Sequence, residues 1–301
     1  MGNEIFNPHL RTPKSTSTIM RDVCIALVPA MIASIVFFGV QAMLLILVSV
    51  GSCVLFEMLW QSMHHETVTI GDYSAVVTGI LLAFNLSSNT PFWVVVLGAA
   101  FSILVVKQFF GGIGNNVFNP ALMGRLFIML VYPMSIMSYA EPMKIDTVAS
   151  ATVLSAMKQG AESGYTLLDS FIGKVPGALG ETSALCLLIG FAFLIWRKEV
   201  NYAVSLAFFV TMAVIALIAG QNPLMHLCSG GAILGGCFML TDYNLSSNHG
   251  KILYGVLAGV IVMAIRIWGH YPEGVCYAIL IVNCMSALVD RITSKHIYGI
   301  S

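Results

Sequence analysis

The sequence predicts an all-α integral membrane protein, with about ten transmembrane helices arranged as a five-plus-five inverted repeat. Composition is the first indication: of 301 residues, 58% are hydrophobic and 9% are charged, and the mean hydropathy is +0.88. Soluble domains carry roughly a quarter charged residues. The second indication is a series of apolar segments long enough for lipid, and the third is a pentapeptide that occurs twice.

The apolar segments follow one another with short connections, and in lipid each must pair its backbone internally as a helix. We place them at 22–39, 41–61, 73–86, 91–109, 118–137, 183–196, 200–219, 229–243, 252–268 and 274–290. One long polar interruption separates two groups of five. The predicted organisation is a cytoplasmic arm, a first repeat, an extracytoplasmic loop, a second repeat and a cytoplasmic tail, at 1–21, 22–137, 138–181, 182–291 and 292–301.

The repeat is indicated by the pentapeptide Asn-Leu-Ser-Ser-Asn, which stands at 85–89 and again at 244–248. Five segments separate the two copies, and an odd number inverts the second half relative to the first, as in many transporters. The short segments 73–86 and 229–243 occupy equivalent places and both contain glycine. Two interpretations remain open for these glycines, namely broken helices around a site and close packing of helices.

Orientation follows from the short loops, where lysine and arginine collect on the cytoplasmic side. With both termini cytoplasmic, nearly all such residues fall inside, and the 138–181 loop lies outside. The zero net charge offers no basic surface, so we expect no nucleic-acid partner. The lipid bilayer is the expected environment.

Ionisable residues at membrane depth are costly and therefore candidates for function. Glu57, Asp242 and Asp290 are the candidates for an ion path, and Arg125 lies one turn into the fifth segment. The alternative for Asp290 and Arg266 is snorkelling at helix ends. We predict no catalytic residue on this chain alone and no metal site. No histidine lies in the middle of an apolar segment, which argues against haem.

The long loop contains Asp146-Thr147-Val148-Ala149-Ser150-Ala151-Thr152. Ser150 or Thr152 can cap a helix that runs into 153–157, because a hydroxyl oxygen accepts from free backbone N–H groups at a helix start. Spacing and charge alone do not indicate that Thr152 is modified.

Three motifs in order resemble the RnfD/NqrB family, and most closely its Rnf branch. The first is Pro8-His9 with Ile19-Met20-Arg21-Asp22-Val23 and Pro29. The second is Gly111-Gly112, Asn116 and Phe118-Asn119-Pro120-Ala121, and the third is Ile265-Arg266, Gly269 and Tyr271-Pro272-Glu273-Gly274-Val275. The resemblance implies a membrane component of a bacterial or archaeal ion-translocating ferredoxin:NAD oxidoreductase. We expect the complex to pass electrons between ferredoxin and NAD, coupled to the movement of Na⁺ or H⁺. The complex as a whole, and not this chain alone, is then the enzyme.

The resemblance also implies a covalent FMN. In the family a flavin transferase attaches FMN through a phosphoester to a threonine, which here is Thr152 within the motif Asp146, Ser150, Ala151. Ala149 departs from the pattern, since a hydroxyl residue is common there. We expect the Thr152 hydroxyl to be exposed in a loop. The resemblance further implies a non-covalent riboflavin, to which we assign no residues. It also implies that the partners are the other Rnf subunits, including membrane subunits and the flavin-carrying RnfG. The alternative is a cofactor-free ion or solute transporter or channel, which would be colourless.

Overall fold

The computed structural model describes residues 15–143, 152–159, 164–242 and 247–293. Every regular element in these residues is helical, so the predicted all-α class is confirmed. Within the described residues, three helices are long and apolar enough to cross a membrane: Thr16–Met63, Asn248–Ile267 and Val275–Thr293. Shorter apolar helices span Ser74–Phe84, Phe92–Gln108, Pro120–Val131, Ala184–Trp196 and Tyr202–Ile218.

Helix α1 (Thr16–Met63) is two arms joined at Gly39, where φ is 70° and ψ is −155°. A straight helix of 48 residues would reach about 72 Å, far beyond a hydrocarbon core of about 30 Å. A positive φ is strained for side-chain-bearing residues, and glycine permits the break. The break falls between the predicted segments 22–39 and 41–61.

The second arm packs against α2 (Ser74–Phe84), which is buried over nearly its whole length. A Cβ at Gly79 would lie 2.6 Å from the Val50 Cα, so only glycine allows this approach. The Ser49 hydroxyl donates to the Gly79 carbonyl at 2.7 Å. Close packing therefore accounts for this glycine.

Helix α3 (Phe92–Ala100) continues as a π-helical stretch, Phe101–Gln108, and is followed by a glycine-rich turn. Helix α4 (Pro120–Val131) begins at an Asn119 cap whose side chain accepts from the Leu122 N–H. The prediction of one segment over 118–137 was wrong in one respect. Helix α4 ends at Val131 with Tyr132 as its cap, and a short α5 (Pro133–Met137) follows, because proline lacks the N–H that would continue the ladder.

Two short helices lie within the predicted outer loop, α6 (Val153–Lys158) and α7 (Leu167–Ile172). Helix α6 starts where the sequence predicted a helix, with Thr152 as its cap. Segment 179–180 then crosses the end of α2, since the Leu179 and Gly180 N–H groups donate to the Leu86 and Phe84 carbonyls.

Helix α8 (Ala184–Trp196) packs against the first arm of α1. Ser34 donates to the Leu179 carbonyl at one end, and Arg197 forms an ion pair with Asp22 at 2.7 Å at the other. Between them, a Cβ at Gly190 would lie 2.0 Å from the Ala26 carbonyl oxygen. Glycine therefore sets the separation of these two helices.

The remaining helices build the second half: α9 (Tyr202–Ile218), α10 (Pro223–Cys228), α11 (Ala232–Leu234), α12 (Asn248–Ile267) and α13 (Val275–Thr293). Helix α10 has no counterpart among the predicted segments. Helix α11 continues as π-helical Gly235–Met239 and 3₁₀-helical Leu240–Asp242. The Ser205 hydroxyl donates to the Gly236 carbonyl at 2.6 Å, as Ser49 does to Gly79.

Candidate functional site: a charged cavity beside Thr152

A cavity of about 220 Å³ lies where α4, the start of α6 and the connection between α12 and α13 meet. Its polar lining includes Arg125, Tyr139, Thr152, Tyr271, Glu273 and Tyr277. These residues come from both halves of the chain and from the long loop. The cavity is therefore a junction of parts that are distant in sequence.

Thr152 caps α6, and its Oγ1 accepts a hydrogen bond from the Ser155 N–H at 3.3 Å. The residue is 8% exposed, so the expectation of a threonine exposed in a loop was wrong. The reason is the packing of α6, because Val153 and Leu154 are buried and Leu154 fills the space beside Gly230. Thr152 and Ser155 both line the cavity. Asp146, Ser150 and Ala151, the rest of the predicted attachment motif, lie outside the described residues.

Arg125 projects from α4 into the protein and is 5% exposed. Its guanidinium donates to Asn85 Oδ1 at 3.0 Å and forms an ion pair with Glu273. The sequence marked Arg125 as a buried charge but not its partner, which is 148 residues away. Among the described residues, Arg125 Nε and Glu273 Oε1 are buried without a hydrogen-bond partner. Both residues line the cavity, and their ion pair leaves one buried donor and one buried acceptor without a hydrogen-bond partner.

Glu181 lies behind this ion pair and is also buried. Its Oε1 accepts from the Ala178 N–H at 2.9 Å. Burial, reinforced by the nearby Glu273 carboxylate, raises the pKa of Glu181 to about 8, against the opposing charge of Arg125. Burial likewise raises the pKa of Tyr139 well above its usual range. The sequence prediction missed Glu181 and assigned no role to Glu273, because no local pattern shows which loop carboxyls fold inward.

Arg266 is the second buried guanidinium of this region and is 5% exposed. It donates to the carbonyls of His226, Ser229 and Gly230. The snorkelling interpretation was therefore wrong for Arg266. These carbonyls lie in and just before a turn at Gly230 and Gly231, where φ is positive. Arg266 therefore fixes the backbone that leads into α11.

The ion-path candidate Glu57 lies on the second arm of α1 and is 1% exposed. Lys107, in the π-helical stretch, donates to both of its carboxylate oxygens at 2.8 Å. Lys107 also donates to Ser74 Oγ at 2.6 Å, and Gln108 donates to Glu57 at 3.0 Å. Lys107 is therefore buried in this pair and is not a charge of an exposed cytoplasmic loop.

The other two ion-path candidates lie on separate elements. Asp242 ends the 3₁₀ turn Leu240–Asp242, and its side chain is outside the described residues. Asp290 lies near the end of α13, is partly exposed and interacts with a neighbour. Of the three, Glu57 is the one whose described side chain lies in the core.

The helices, the apolar surface and the buried charged cavity define a helical membrane protein with a polar site at the junction of its two halves. A family model described as the NQR2, RnfD, RnfE family matches residues 5–299. The chain therefore belongs to this family, as its motifs indicated.

Relatives with assigned names align with almost the whole chain. The D subunit of the Na⁺-translocating ferredoxin:NAD⁺ oxidoreductase complex of Acetobacterium woodii is 42% identical over 300 residues, covering 98% of this chain and 94% of the relative. The D subunit of the proton-translocating ferredoxin:NAD⁺ oxidoreductase complex of Clostridium ljungdahlii is 32% identical, covering 97% and 95%. The D subunit of the ion-translocating oxidoreductase complex of Escherichia coli is 31% identical, covering 97% of each.

Proposed function

We propose that this chain is the membrane-embedded D subunit of an ion-translocating ferredoxin:NAD⁺ oxidoreductase complex. The supporting observation is that relatives with this role align over 97% or more of the chain. The other Rnf subunits are its partners, among them membrane subunits and the flavin-carrying RnfG. The complex as a whole is the enzyme.

Within that role, the chain carries FMN on Thr152. Three kinds of lining residue support such a group: Thr152, the charged side chains of Arg125 and Glu273, and tyrosine rings. When bound, the flavin supplies one- and two-electron transfer. Aromatic rings pack well against a planar ring system, and Tyr271 and Tyr277 are within 5.6 Å of each other, centroid to centroid.

The chain's own residues have separate tasks at this site. Thr152 anchors the group through its hydroxyl. Arg125 presents a fixed positive charge that Glu273 and Asn85 orient, and such a charge favours added negative charge in a cavity of low polarity.

Attachment of FMN requires a flavin transferase. The Thr152 oxygen forms a bond to the phosphorus of the FMN half of FAD, the bond to AMP breaks, and the hydroxyl proton leaves with AMP or to solvent. Because Thr152 is buried against α6, the segment must open before the transferase reaches the hydroxyl. A non-covalent riboflavin elsewhere on the chain belongs to the same proposal, without assigned residues.

The proposed topology is ten transmembrane helices in two inverted repeats, in a bacterial or archaeal cell membrane. Both termini are cytoplasmic and the 138–181 loop is extracytoplasmic. A matched contact supports the repeat: in each half, a serine on one helix donates to a glycine carbonyl on the next short segment, Ser49 to Gly79 and Ser205 to Gly236.

Ion movement is assigned to acids at membrane depth or at helix ends, namely Glu57, Asp242 and Asp290. Coupling requires a structural element with two states. Both the redox state and the ion occupancy must shift the equilibrium between those states. Replacing all three by their amides is expected to uncouple ion transport from electron transfer, measured in vesicles with the whole complex. Unchanged coupling would remove all three from the path.

The direct test of the flavin assignment is ultraviolet fluorescence of the denatured chain in a gel. Wild type, Thr152→Val and Ser155→Ala are co-expressed with a flavin transferase. We expect fluorescence from wild type and Ser155→Ala and none from Thr152→Val. A dark wild-type band beside a fluorescent known flavoprotein from the same cells would favour the cofactor-free transporter instead.

A further inference from the structure

A chain of hydrogen bonds connects the buried Glu57 with the surface of the protein at the start of α2. Lys107 Nζ donates to both carboxylate oxygens of Glu57 at 2.8 Å and to Ser74 Oγ at 2.6 Å. Ser74 Oγ in turn donates to Asp72 Oδ1 at 2.6 Å. Glu57, Lys107 and Ser74 are buried, whereas Asp72 is partly exposed. The chain therefore begins in the core and ends at a carboxylate that water can reach.

The hydrogen bonds from Lys107 to Asp72 run in one direction, from the core towards the surface. An ammonium group can only donate and an ionised carboxylate can only accept, so Ser74 accepts from Lys107 and gives its own hydrogen to Asp72. A hydroxyl oxygen can accept a proton while its hydrogen passes to the next acceptor. The order of ammonium, hydroxyl and carboxylate thus suits the release of a proton from Lys107 to Asp72.

Two glutamines hold the ends of this chain in place. Gln108 Nε2 donates to Glu57 Oε1 at 3.0 Å and so orients the buried carboxylate. Gln61, one turn after Glu57 on α1, donates to Thr69 Oγ1 at 2.8 Å and accepts from the Thr69 N–H at 3.0 Å. These bonds tie the segment before Asp72 to the helix that carries Glu57. The inner and outer carboxylates are therefore held in fixed positions relative to each other.

Two other titratable groups lie at the Glu57–Lys107 pair in the described part of the chain, namely Asp72, through Ser74, and Cys53, one turn before Glu57. Cys53 is buried, so Asp72 is the one of the two with access to water. The ammonium already occupies the oxygens of Glu57 and Ser74, and these oxygens cannot bind a metal cation at the same time. The contacts therefore favour protons over Na⁺ as the ion that moves along this chain.

We propose that Lys107, Ser74 and Asp72 form a proton relay between Glu57 and the aqueous surface at the start of α2. The inference rests on the proposed ion path at Glu57 and is independent of the flavin at Thr152. In the proposed topology the end of α1 faces the cytoplasm, and Glu57 lies about 9 Å from that end at about 1.5 Å per residue. The relay is therefore the cytoplasmic end of the ion path.

The relay acts when Glu57 receives a proton from the ion path. Glu57 is then neutral, and burial disfavours the charged form of an amine that has lost its counter-charge. Lys107 gives one proton to Ser74 Oγ, while the Ser74 hydroxyl hydrogen passes to Asp72 and from there to water. The Glu57 proton then moves to the neutral amine and restores the ion pair. One proton has moved from Glu57 to water, and all four side chains have returned to their starting forms.

The experiment measures proton movement and Na⁺ movement in proteoliposomes that contain the whole complex. Asp72→Asn is the main variant, because asparagine keeps a side-chain oxygen for the Ser74 N–H, which Asp72 accepts at 2.8 Å, but cannot take up a proton. We expect Asp72→Asn to slow proton movement about a hundredfold, the effect of removing one positioned proton-transfer group. Glu66→Gln is the exposed control and should move protons at the wild-type rate.

Asp72→Glu separates a relay from a structural role. Glutamate is longer than aspartate but can still take up a proton, whereas asparagine has the right shape and cannot. A relay therefore requires Asp72→Glu to be much faster than Asp72→Asn, and within about tenfold of wild type. A purely structural role requires the opposite order. Ser74→Ala removes the middle hydroxyl and is the second variant if Asp72→Asn does not fold; it should be as slow as expected for Asp72→Asn.

The outcomes separate the relay from the ion path at Glu57. The relay is refuted if Asp72→Asn moves protons at the wild-type rate, if Asp72→Glu is as slow as Asp72→Asn, or if wild type moves Na⁺ without protons. Each of these results leaves the ion path standing when Glu57→Gln is slow. Ion movement in Glu57→Gln at the wild-type rate refutes the ion path itself, and the relay with it.

Discussion

Removing one partner of the buried pair of Glu57 and Lys107 is expected to destabilise the fold strongly. Both side chains are 2% exposed, and the Lys107 ammonium uses its three hydrogens on the two Glu57 oxygens and Ser74. Removing one partner leaves an uncompensated charge in the core, which costs about 3–5 kcal/mol. Glu57→Gln and Lys107→Met should each reduce the free energy of unfolding by that amount.

The double variant distinguishes pairing from general damage. With both charges gone, the loss should be much smaller than the sum of the two single losses, because neutral replacements of a buried pair are often tolerated. The coupling energy should be about 3 kcal/mol, the upper end for contacting residues. Equilibrium unfolding in mixed detergent micelles measures all four proteins, and Glu66→Gln is the exposed control.

Two results would refute this reasoning. One is a single variant whose unfolding free energy lies within about 1 kcal/mol of wild type, because a buried unpaired charge must cost more. The other is strict additivity of the two single losses, because residues in contact should couple.

Three further predictions concern helix spacing, the contact of α6 with the α12–α13 connection, and pH. Gly190→Ala should reduce the free energy of unfolding by about 1–3 kcal/mol, because the new Cβ would meet a carbonyl oxygen of α1. Gly51→Ala is the control, because a Cβ there has open space. Equilibrium unfolding in micelles compares the two variants. Lys158 donates to two carbonyls of the α12–α13 connection, so Lys158→Met should speed amide hydrogen exchange across α6. Because the pKa of Glu181 is raised in the folded state from 4.5 to about 8, its contribution to stability should decrease as pH rises through that interval. In Glu181→Gln that part of the pH dependence should disappear.

Much of the helical framework was predictable from the sequence, because lipid leaves the backbone few alternatives. The break at Gly39 fell between two predicted segments. The break at Pro133 was missed although a proline marks it, since the apolar run continues on both sides. Helix α10 was missed because six residues carry too little periodicity.

The candidate site was predicted only in part. Thr152 was found through a motif, and its capping role through the preference for hydroxyls at helix starts. Glu181, Glu273 and Lys107 were not found, because their roles depend on partners 50 or more residues away. A sequence shows which charges are costly to bury but not which opposite charge meets them.

The measurement that tests the central claim most directly is mass spectrometry of the purified chain, co-expressed with a flavin transferase. The account predicts an intact mass increased by one FMN less one water, and fragment ions that place the addition on Thr152. An unmodified chain, in cells that flavinylate a known substrate, would contradict the account. So would an addition located on Ser150 or Ser155.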